Sequence, residues 1–455
     1  MFKEIRKRLS EGQRLRRLPA GRIQEIQLEL LRDHLVRASK SPFYRDLFRR
    51  TGLSPLDIKE EMKDLSDLSA LPFTERRHLE QGWDLFMAVE PGRLADLVQT
   101  SGTTGRPVKV GYSERDLDRL AFNEAMAFSG AGVSPGSRVL LCVTMDRCFI
   151  AGLAYYLGAR ALGCGVVRSG PGGPDLQLAL IEEFRPDVVV GVPSFLSRLA
   201  RKPGAAKVLE CISTLICIGE PVRDRSLEPN RLGRELAEGY GASVISTYAG
   251  TEIQTCFCEC SQGSGGHVHP ELAVIEVVDH QGRQVRDGEL GELVVTPLGV
   301  EAMPLVRYRT GDMVRLHTGP CSCGWNTPRI GPVEGRRAYR LKCKGTTIYP
   351  ESVFFALSEE FGIDAAYLEI RDGYELSDHV TLVAGGAEDG LRAEEVARRL
   401  AQRLRVRVEV RMEDTASVEA AMTAHGGRKP KKIFDFRQGS AGSSSEAAVR
   451  REGGR

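Results

Sequence analysis

"LVQTSGTTGRPVKVGYS", residues 97–113, is written like neither a helix core nor an ordinary strand. Between Gln99 and Pro107 it holds two glycines, one serine and three threonines. Apolar Leu97 and Val98 lead into it, and Lys109 with the alternating residues 108–110 leads out. Backbone N–H groups in a glycine-rich turn can converge on an anion, and Ser and Thr hydroxyls add donors. Only small residues let the backbone approach that closely. Ser101, Gly102, Thr103, Thr104 and Gly105 therefore read as a phosphate cradle, with Lys109 as an added point charge. The stretch ends Gly-Arg-Pro where a Walker loop ends Gly-Lys-Ser/Thr, which argues against a Walker-type NTPase. The competing reading is a flexible surface loop.

On either side of this loop the chain changes character. The first ninety residues read as helices with polar turns, with helix-start signals at Ser41-Pro42 and Thr74. The basic start, "MFKEIRKRLSEGQRLRRLPAGR", lacks a signal-peptide apolar core. It reads as a solvated surface helix, with an amphipathic helix on acidic lipid as the alternative. From residue 138, apolar strand-like runs ("RVLLCV", "GVVRSG", "PDVVVGVPS", "TLICIGEP") alternate with helical ones ("FIAGLAYYLGARALG", "LQLALIEEF"). That order predicts a parallel sheet covered on both faces. Residues 272–316 switch to strand runs broken by glycine turns, predicting an antiparallel, barrel-like section. A smaller α+β module follows Gly335, and the polar end "GSAGSSSEAAVRREGGR" is expected to be disordered. The fold class is α/β: a large domain over residues 1–335, a small mobile C-terminal lid domain over 336–437, and a tail over 438–455.

The 455 residues are 42% hydrophobic and 27% charged, the make-up of a globular protein with a large core. Basic (63) and acidic (61) residues nearly cancel, leaving a formal net charge of +2 and no reason to expect nucleic-acid binding. No apolar run approaches the roughly 18 residues of a membrane span. Eleven cysteines without a secretion signal suggest a reducing cytoplasm.

Two further motifs carry chemistry. "STYAGTEI", 246–253, follows the strand-like "ASVI" and presents an aromatic, a hydroxyl and a carboxylate in turn. An aromatic can stack on a purine, and a carboxylate can hold Mg²⁺. "RYRTGDM", 307–313, places Asp312 after a glycine turn, where it can take ribose hydroxyls. Each is weak alone; their order and spacing make them specific.

Together they resemble the adenylate-forming, AMP-binding (acyl-activating) superfamily, closest to its phenylacetate–CoA ligase branch. "SPFYRDLF", "LPFTERRHL", "QTSGTTGRPVKVGYS", "GEPVRD", "YAGTE", "RYRTGD", "CSCG", "GRRAYRLKCKGTTIYPESV" and "GRKPKKIFDFR" carry the resemblance over nearly the whole chain. It implies ATP, Mg²⁺ and coenzyme A as cofactors and a small-molecule carboxylic acid as substrate. In such enzymes the carboxylate attacks the α-phosphate of ATP, and a thiol then displaces AMP from the acyl-adenylate. By the resemblance, residues 101–105 cradle the outer phosphates, and Gly219, Glu220 and Pro221 lie along the adenine. Tyr248 borders that ring, Thr251 touches the α-phosphate, and Glu252 ligates Mg²⁺. Asp312 takes the ribose, Arg336 reaches ribose or phosphate, and Gly345 lines the thiol path in the second half-reaction. Lys429 is the implied catalytic lysine, bridging two anions as they approach; a one-turn alignment error would make it Lys431. The sequence departs from the family pattern at Ala249, at Ala338 and Tyr339 where an acidic hinge is usual, and at Arg428 before the lysine.

Cys256, Cys258 and Cys260, then His267 and His269, precede "CSCG" by some sixty residues. Two thiolates from each side, or thiolates plus histidine, satisfy tetrahedral Zn²⁺. The chosen structural zinc ligands are Cys260, His267, Cys321 and Cys323; buried free thiols are the alternative. Cys256 and Cys258 are left to line the acyl pocket or to substitute as ligands. Met145, Asp146, Phe149, Tyr155 and Ser194, at the carboxyl ends of the parallel strands, are acyl-pocket candidates; Arg168 reads either as facing the same region, where it could bind a second carboxylate or phenolate, or equally as a surface residue. The leading reading is an acid–thiol ligase acting on an (aryl)carboxylic acid, compatible with a homodimer. The alternatives are an adenylate-forming enzyme that passes acyl or AMP to a carrier protein, sugar, amine or cofactor, and a non-catalytic nucleotide-binding relative.

Overall fold

The structure is a computed structural model that describes residues 2–52, 54, 57–100, 107–337, 341–343, 346–372, 378–404, 408–424 and 430–436. Ser101, Gly102, Thr103, Thr104, Gly105, Ala338, Tyr339, Gly345, Arg428, Lys429 and the tail lie outside the described residues. The described residues up to 337, apart from Pro107, form one compact unit, and those from 341 onward belong to a second.

The large unit is built on a six-stranded sheet. Its order is Gly165–Arg168, Arg138–Leu141, Val188–Gly191, Thr214–Ile218, Ser243–Gly250 and Thr255–Cys258. The first five strands are parallel and the last is antiparallel to its neighbour. The two-residue period of a strand sorts side chains to opposite faces. Val139 and Leu141 pack with the helices Glu114–Gly130 and Ile150–Leu162, whereas Leu140 packs beneath the helices carrying Ile181, Leu196 and Leu236. Coverage on both faces is what the unbroken apolar runs require.

The antiparallel section follows. Ala273–Val278, Leu290–Pro297 and Tyr308–His317 pair in sequence, and Arg329–Ile330 and Gly266–His267 extend the sheet. Gly335–Arg336 also pairs with Tyr308–His317. This sheet is open; among the described residues it does not close into a barrel, because its two end strands do not pair.

Two expectations change. The N-terminal helix Phe2–Leu15 is not merely solvated: Ile5, Leu9 and Gly12 are buried, and the Arg6 side chain donates to the Ala161 carbonyl at 2.9 Å. Its apolar stripe, masked in sequence by many arginines, covers the Glu114–Gly130 helix. Thr74 does not cap a helix either. Helix Arg76–Gln81 takes Glu75 as its N-cap. Thr74 is fully buried, donates to the Val306 carbonyl at 2.7 Å, and bonds the Tyr44 hydroxyl at 2.6 Å. It thereby fixes the entry of the strand that begins at Tyr308. Ser41 caps Pro42–Thr51 as the sequence suggests.

The small unit has a four-stranded sheet ordered Glu409–Met412, Asp378–Ala384, Ala366–Asp372, Ile433–Asp435, with helices Pro350–Phe361, Ala393–Leu404 and Thr415–Thr423. Leu357, Leu368, Leu382 and Leu400 form the centre of its core.

Candidate active site

The glycine-rich loop is carried by an antiparallel hairpin, Leu94–Gln99 with Lys109–Ser113. Its neck is closed by Thr100: the Thr100 N–H donates to the Val108 carbonyl at 3.0 Å, and the Val108 N–H donates to the Thr100 hydroxyl at 3.0 Å. The Lys109 ammonium lies over the Trp83 ring, 5.9 Å from its centre.

Strand Ser243–Gly250 delivers Tyr248, Thr251 and Glu252 to the carboxyl edge of the parallel sheet. The Tyr248 hydroxyl donates to Asp312 at 2.8 Å, joining two motifs 64 residues apart. Burial and the Asp312 charge push the Tyr248 phenol well up. Tyr248 stands parallel to Phe257 at 6.2 Å. The Thr251 carbonyl accepts from the Tyr112 hydroxyl at 3.1 Å, so the hairpin and this turn are tied together. Glu252 is half-buried, and loss of solvent around it raises its carboxyl above the ordinary range. The Arg76 guanidinium, 3.3 Å away, works in the opposite direction, and Tyr308 is hydrogen-bonded to the same carboxyl. Asp312 also meets Arg336 at 3.1 Å. Gly219 has φ +78°, a left-handed turn that suits glycine. Glu220 next to it accepts from the Ser194 N–H and hydroxyl at 2.9 and 3.0 Å, and the Pro221 carbonyl accepts from Asn230.

The structure thus brings together Tyr248, Thr251, Glu252, Asp312 and Arg336, and ties Glu220 to Ser194. Two supporting residues escape the sequence reading. Arg76, inside "LPFTERRHL", also reaches the Thr100 hydroxyl at 3.4 Å and so links the loop neck to Glu252. Arg119, buried, donates to the carbonyls of Gln254, Leu272 and Leu298 and to the Thr255 hydroxyl, clamping the turn after Glu252. The only sequence signal for Arg119 is a charge within a helical apolar stretch.

Among the acyl-pocket candidates, Tyr155 is buried at the helix–sheet interface. Asp146 is exposed and pairs with Arg147. Arg168 does not face the pocket: it is exposed over Tyr156, 5.7 Å from the ring centre, because it ends an edge strand.

The cysteines separate into two groups. Cys256 and Cys258, on one strand face, enter the core beside the Glu114–Gly130 helix. Past the strand end, Cys260 joins His267, Cys321 and Cys323, and the four ligand atoms lie within 4.8 Å of one another. Cys260 and Cys321 sulfurs are 3.7 Å apart, and the His267 Nε2 is 3.5 Å from Cys323. A tetrahedral site with Zn–S bonds of about 2.3 Å puts its sulfurs about 3.8 Å apart. His267 Nδ1 is held by the Thr327 hydroxyl at 2.9 Å, which aims Nε2 at the thiols. Trp325 packs edge-on against His267, and buried Arg16 from the segment after the first helix lies over Trp325. Asn326 N–H donates to the Arg16 carbonyl at 2.7 Å. The cluster therefore holds the chain start against the "CSCG" loop.

The family model described as "AMP-binding enzyme" matches residues 53–301. The chain is 32% identical to a phenylacetate–coenzyme A ligase of Thermus thermophilus over 76% of this chain and 78% of that protein. It is 33% identical to one of Pseudomonas putida over 73% of this chain and 74% of that protein. A crystal structure of 2-hydroxyisobutyryl-CoA ligase in its postadenylation state shares the fold, with a TM-score of 0.78 at 21% identity over 92% of this chain and 90% of that one.

Proposed function

The chain belongs to the AMP-binding enzyme family, in its phenylacetate–CoA ligase branch, and from that membership we propose how it acts as an ATP-dependent acid–CoA ligase. In the first step a carboxylate oxygen bonds to the α-phosphorus of ATP while the bond to pyrophosphate breaks. In the second, the coenzyme A sulfur bonds to the acyl carbon, AMP leaves, and the thiol proton passes to solvent.

The convergence of Tyr248, Thr251, Glu252 and Asp312 carries the assignment of roles. Asp312, oriented by Tyr248 and Arg336, presents a carboxylate suited to ribose hydroxyls. Thr251, fixed through its backbone by Tyr112, serves the α-phosphate. Residues 101–105 hold the outer phosphates, and Gly219, Glu220 and Pro221 flank the base. Lys429 supplies the ammonium between the two reacting anions. Glu252 is a half-buried oxygen donor paired, among the described residues, with the Arg76 guanidinium, a setting that fits Mg²⁺. When bound, the ion would neutralise charge on the phosphates.

Cys260, His267, Cys321 and Cys323 fit a closed structural Zn²⁺ site, on their spacing and on the Thr327 bond that orients the histidine. The described cysteines are free thiols, in keeping with a reducing cytoplasm. Among the described residues no helix is long and apolar enough to cross a membrane.

Pyrophosphate release measured over a panel of carboxylic acids, with and without coenzyme A, tests the reading. Acid-dependent pyrophosphate and a coenzyme A-dependent thioester are expected. No acid-dependent pyrophosphate with any acid would overturn it.

A further inference from the structure

One residue clamps the chain just after the first helix. The Asn326 N–H donates to the Arg16 carbonyl at 2.7 Å, and its side-chain amide donates to the Arg17 and Leu18 carbonyls at 3.2 and 3.0 Å. Asn326 stands three positions after Cys323, so the clamp hangs from the "CSCG" loop. Beneath it the Arg16 guanidinium is fully buried, donates to the Gly12 carbonyl at 2.6 Å and to Glu271 at 2.8 Å, and meets His269 Nδ1 at 2.6 Å. Trp325, under the same guanidinium, fits because Gly130 has no side chain; a Cβ there would stand 2.7 Å from the ring. Gln13 adds a bond to the Ser129 hydroxyl at 2.8 Å. Helix Phe2–Leu15 is thus held on helix Glu114–Gly130 by contacts that start at Cys323.

The thiols at the head of this chain of contacts are placed for a second chemistry. The Cys260 and Cys321 sulfurs are hydrogen-bonded at 3.7 Å and come from segments 61 residues apart. A disulfide needs them at about 2 Å, a movement that a surface loop can make. The loop is at the surface: Ser322 is exposed and Cys323 half-buried.

We propose that Cys260 and Cys321 form a redox modification site whose oxidation releases the first helix. One sulfur bonds to an oxygen of hydrogen peroxide, the O–O bond breaks and water leaves, giving a sulfenic acid. The second sulfur then bonds to the first, the S–O bond breaks and another water leaves. Two thiols become one disulfide as one peroxide becomes two waters; the protons come from the thiols, or from solvent where a metal had held them as thiolates. Cys323 and His267 alone are too few to keep a tetrahedral Zn²⁺. The Trp325 N–H donates to the Cys323 sulfur at 3.4 Å, so freeing that sulfur loosens Trp325 and Asn326, and with them the hold on residues 16–18. The inference rests on the thiol cluster and is independent of the ligase reading.

The test treats the full-length protein, reduced and supplied with zinc, with hydrogen peroxide. Peptide mapping without reductant reads the disulfide, a chromophoric chelator reads freed zinc, and limited trypsin digestion reads the chain at Arg14, Arg16 and Arg17. A Cys260–Cys321 disulfide, about one zinc released per chain and cleavage at residues 14–17 about tenfold faster are expected, all reversed by dithiothreitol with zinc. Asn326→Ala keeps the four cluster residues and removes the side-chain half of the clamp. It should be cleaved faster at the same residues while still reduced, and peroxide should accelerate it less than the wild type. A protein that takes up no zinc still decides the matter through the disulfide and the cleavage rate. No disulfide, a disulfide that omits Cys260 or Cys321, unchanged cleavage in the oxidised protein, or equal acceleration along the whole chain overturns the proposal.

Discussion

Replacing Glu124 with glutamine should make the protein more resistant to alkaline pH. The carboxyl stands at about 7 in the folded chain against an ordinary value of 4.5, with burial as the main cause. A folded-state value raised above the unfolded one means that the folded chain binds the proton more tightly. The associated stability is complete below about pH 4.5 and is lost as the pH rises through 7. The shift corresponds to about 3.5 kcal/mol across that window at roughly 1.4 kcal/mol per unit. The neighbouring Tyr155, Cys256 and Cys258 are pushed upward by burial and stay neutral over the same range. Glutamine is neutral at every pH, so the variant should match the wild type at pH 5 and exceed it at pH 8. Thermal melts of both proteins at the two pH values, at fixed ionic strength and metal content, read the difference; groups shared by both cancel. The wild type should lose about 5 °C more than the variant on going from pH 5 to pH 8. Equal losses would mean that Glu124 keeps an ordinary carboxyl in the folded protein and is not isolated as its surroundings indicate.

Lys429→Ala is expected to abolish acid-dependent pyrophosphate release while ATP still binds in equilibrium titration, since the lysine acts on charge that develops in the transition state; full activity in that variant together with loss in Lys431→Ala would move the role two residues on. Tyr248→Phe removes the 2.8 Å bond to Asp312 and should weaken ATP binding about tenfold, as expected for one hydrogen bond to a charged partner; an unchanged affinity would remove the carboxylate from ribose recognition. Cys321→Ser with Cys323→Ser should lower the melting temperature of the large unit more than it changes adenylation in protein that remains folded, because a closed zinc site contributes folding free energy. Metal analysis of the wild type should return about one zinc per chain, and less than about half an equivalent without chelator would count against the site.

Much of the scaffold is local information. Runs such as "RVLLCV" and "PDVVVGVPS" are apolar on both strand faces, and only a sheet covered twice can bury them. The segments "YAGTE" and "RYRTGD" are equally legible as motifs, because each is written in consecutive residues, whereas the meeting of Cys260 and His267 with Cys321 and Cys323 across some sixty positions is the work of the fold. Local pattern misled at Thr74, where a helix-start signal serves instead to bridge Tyr44 and Val306, and it left Arg168 between pocket and surface until the fold put its strand at the sheet edge. The meaning of Arg76, Arg119 and Glu124 was settled only in three dimensions. In sequence each is one charged residue in a helix, and the ordinary place for such a residue is a solvated face. Arg119 acquires its role from carbonyls 135 to 179 residues away, and Arg76 from a carboxylate 176 residues away. Glu124 depends on a glycine in a different helix and a thiol in a distant strand. Periodicity reports which face of an element is buried; which partner waits there follows from packing between elements far apart in the chain.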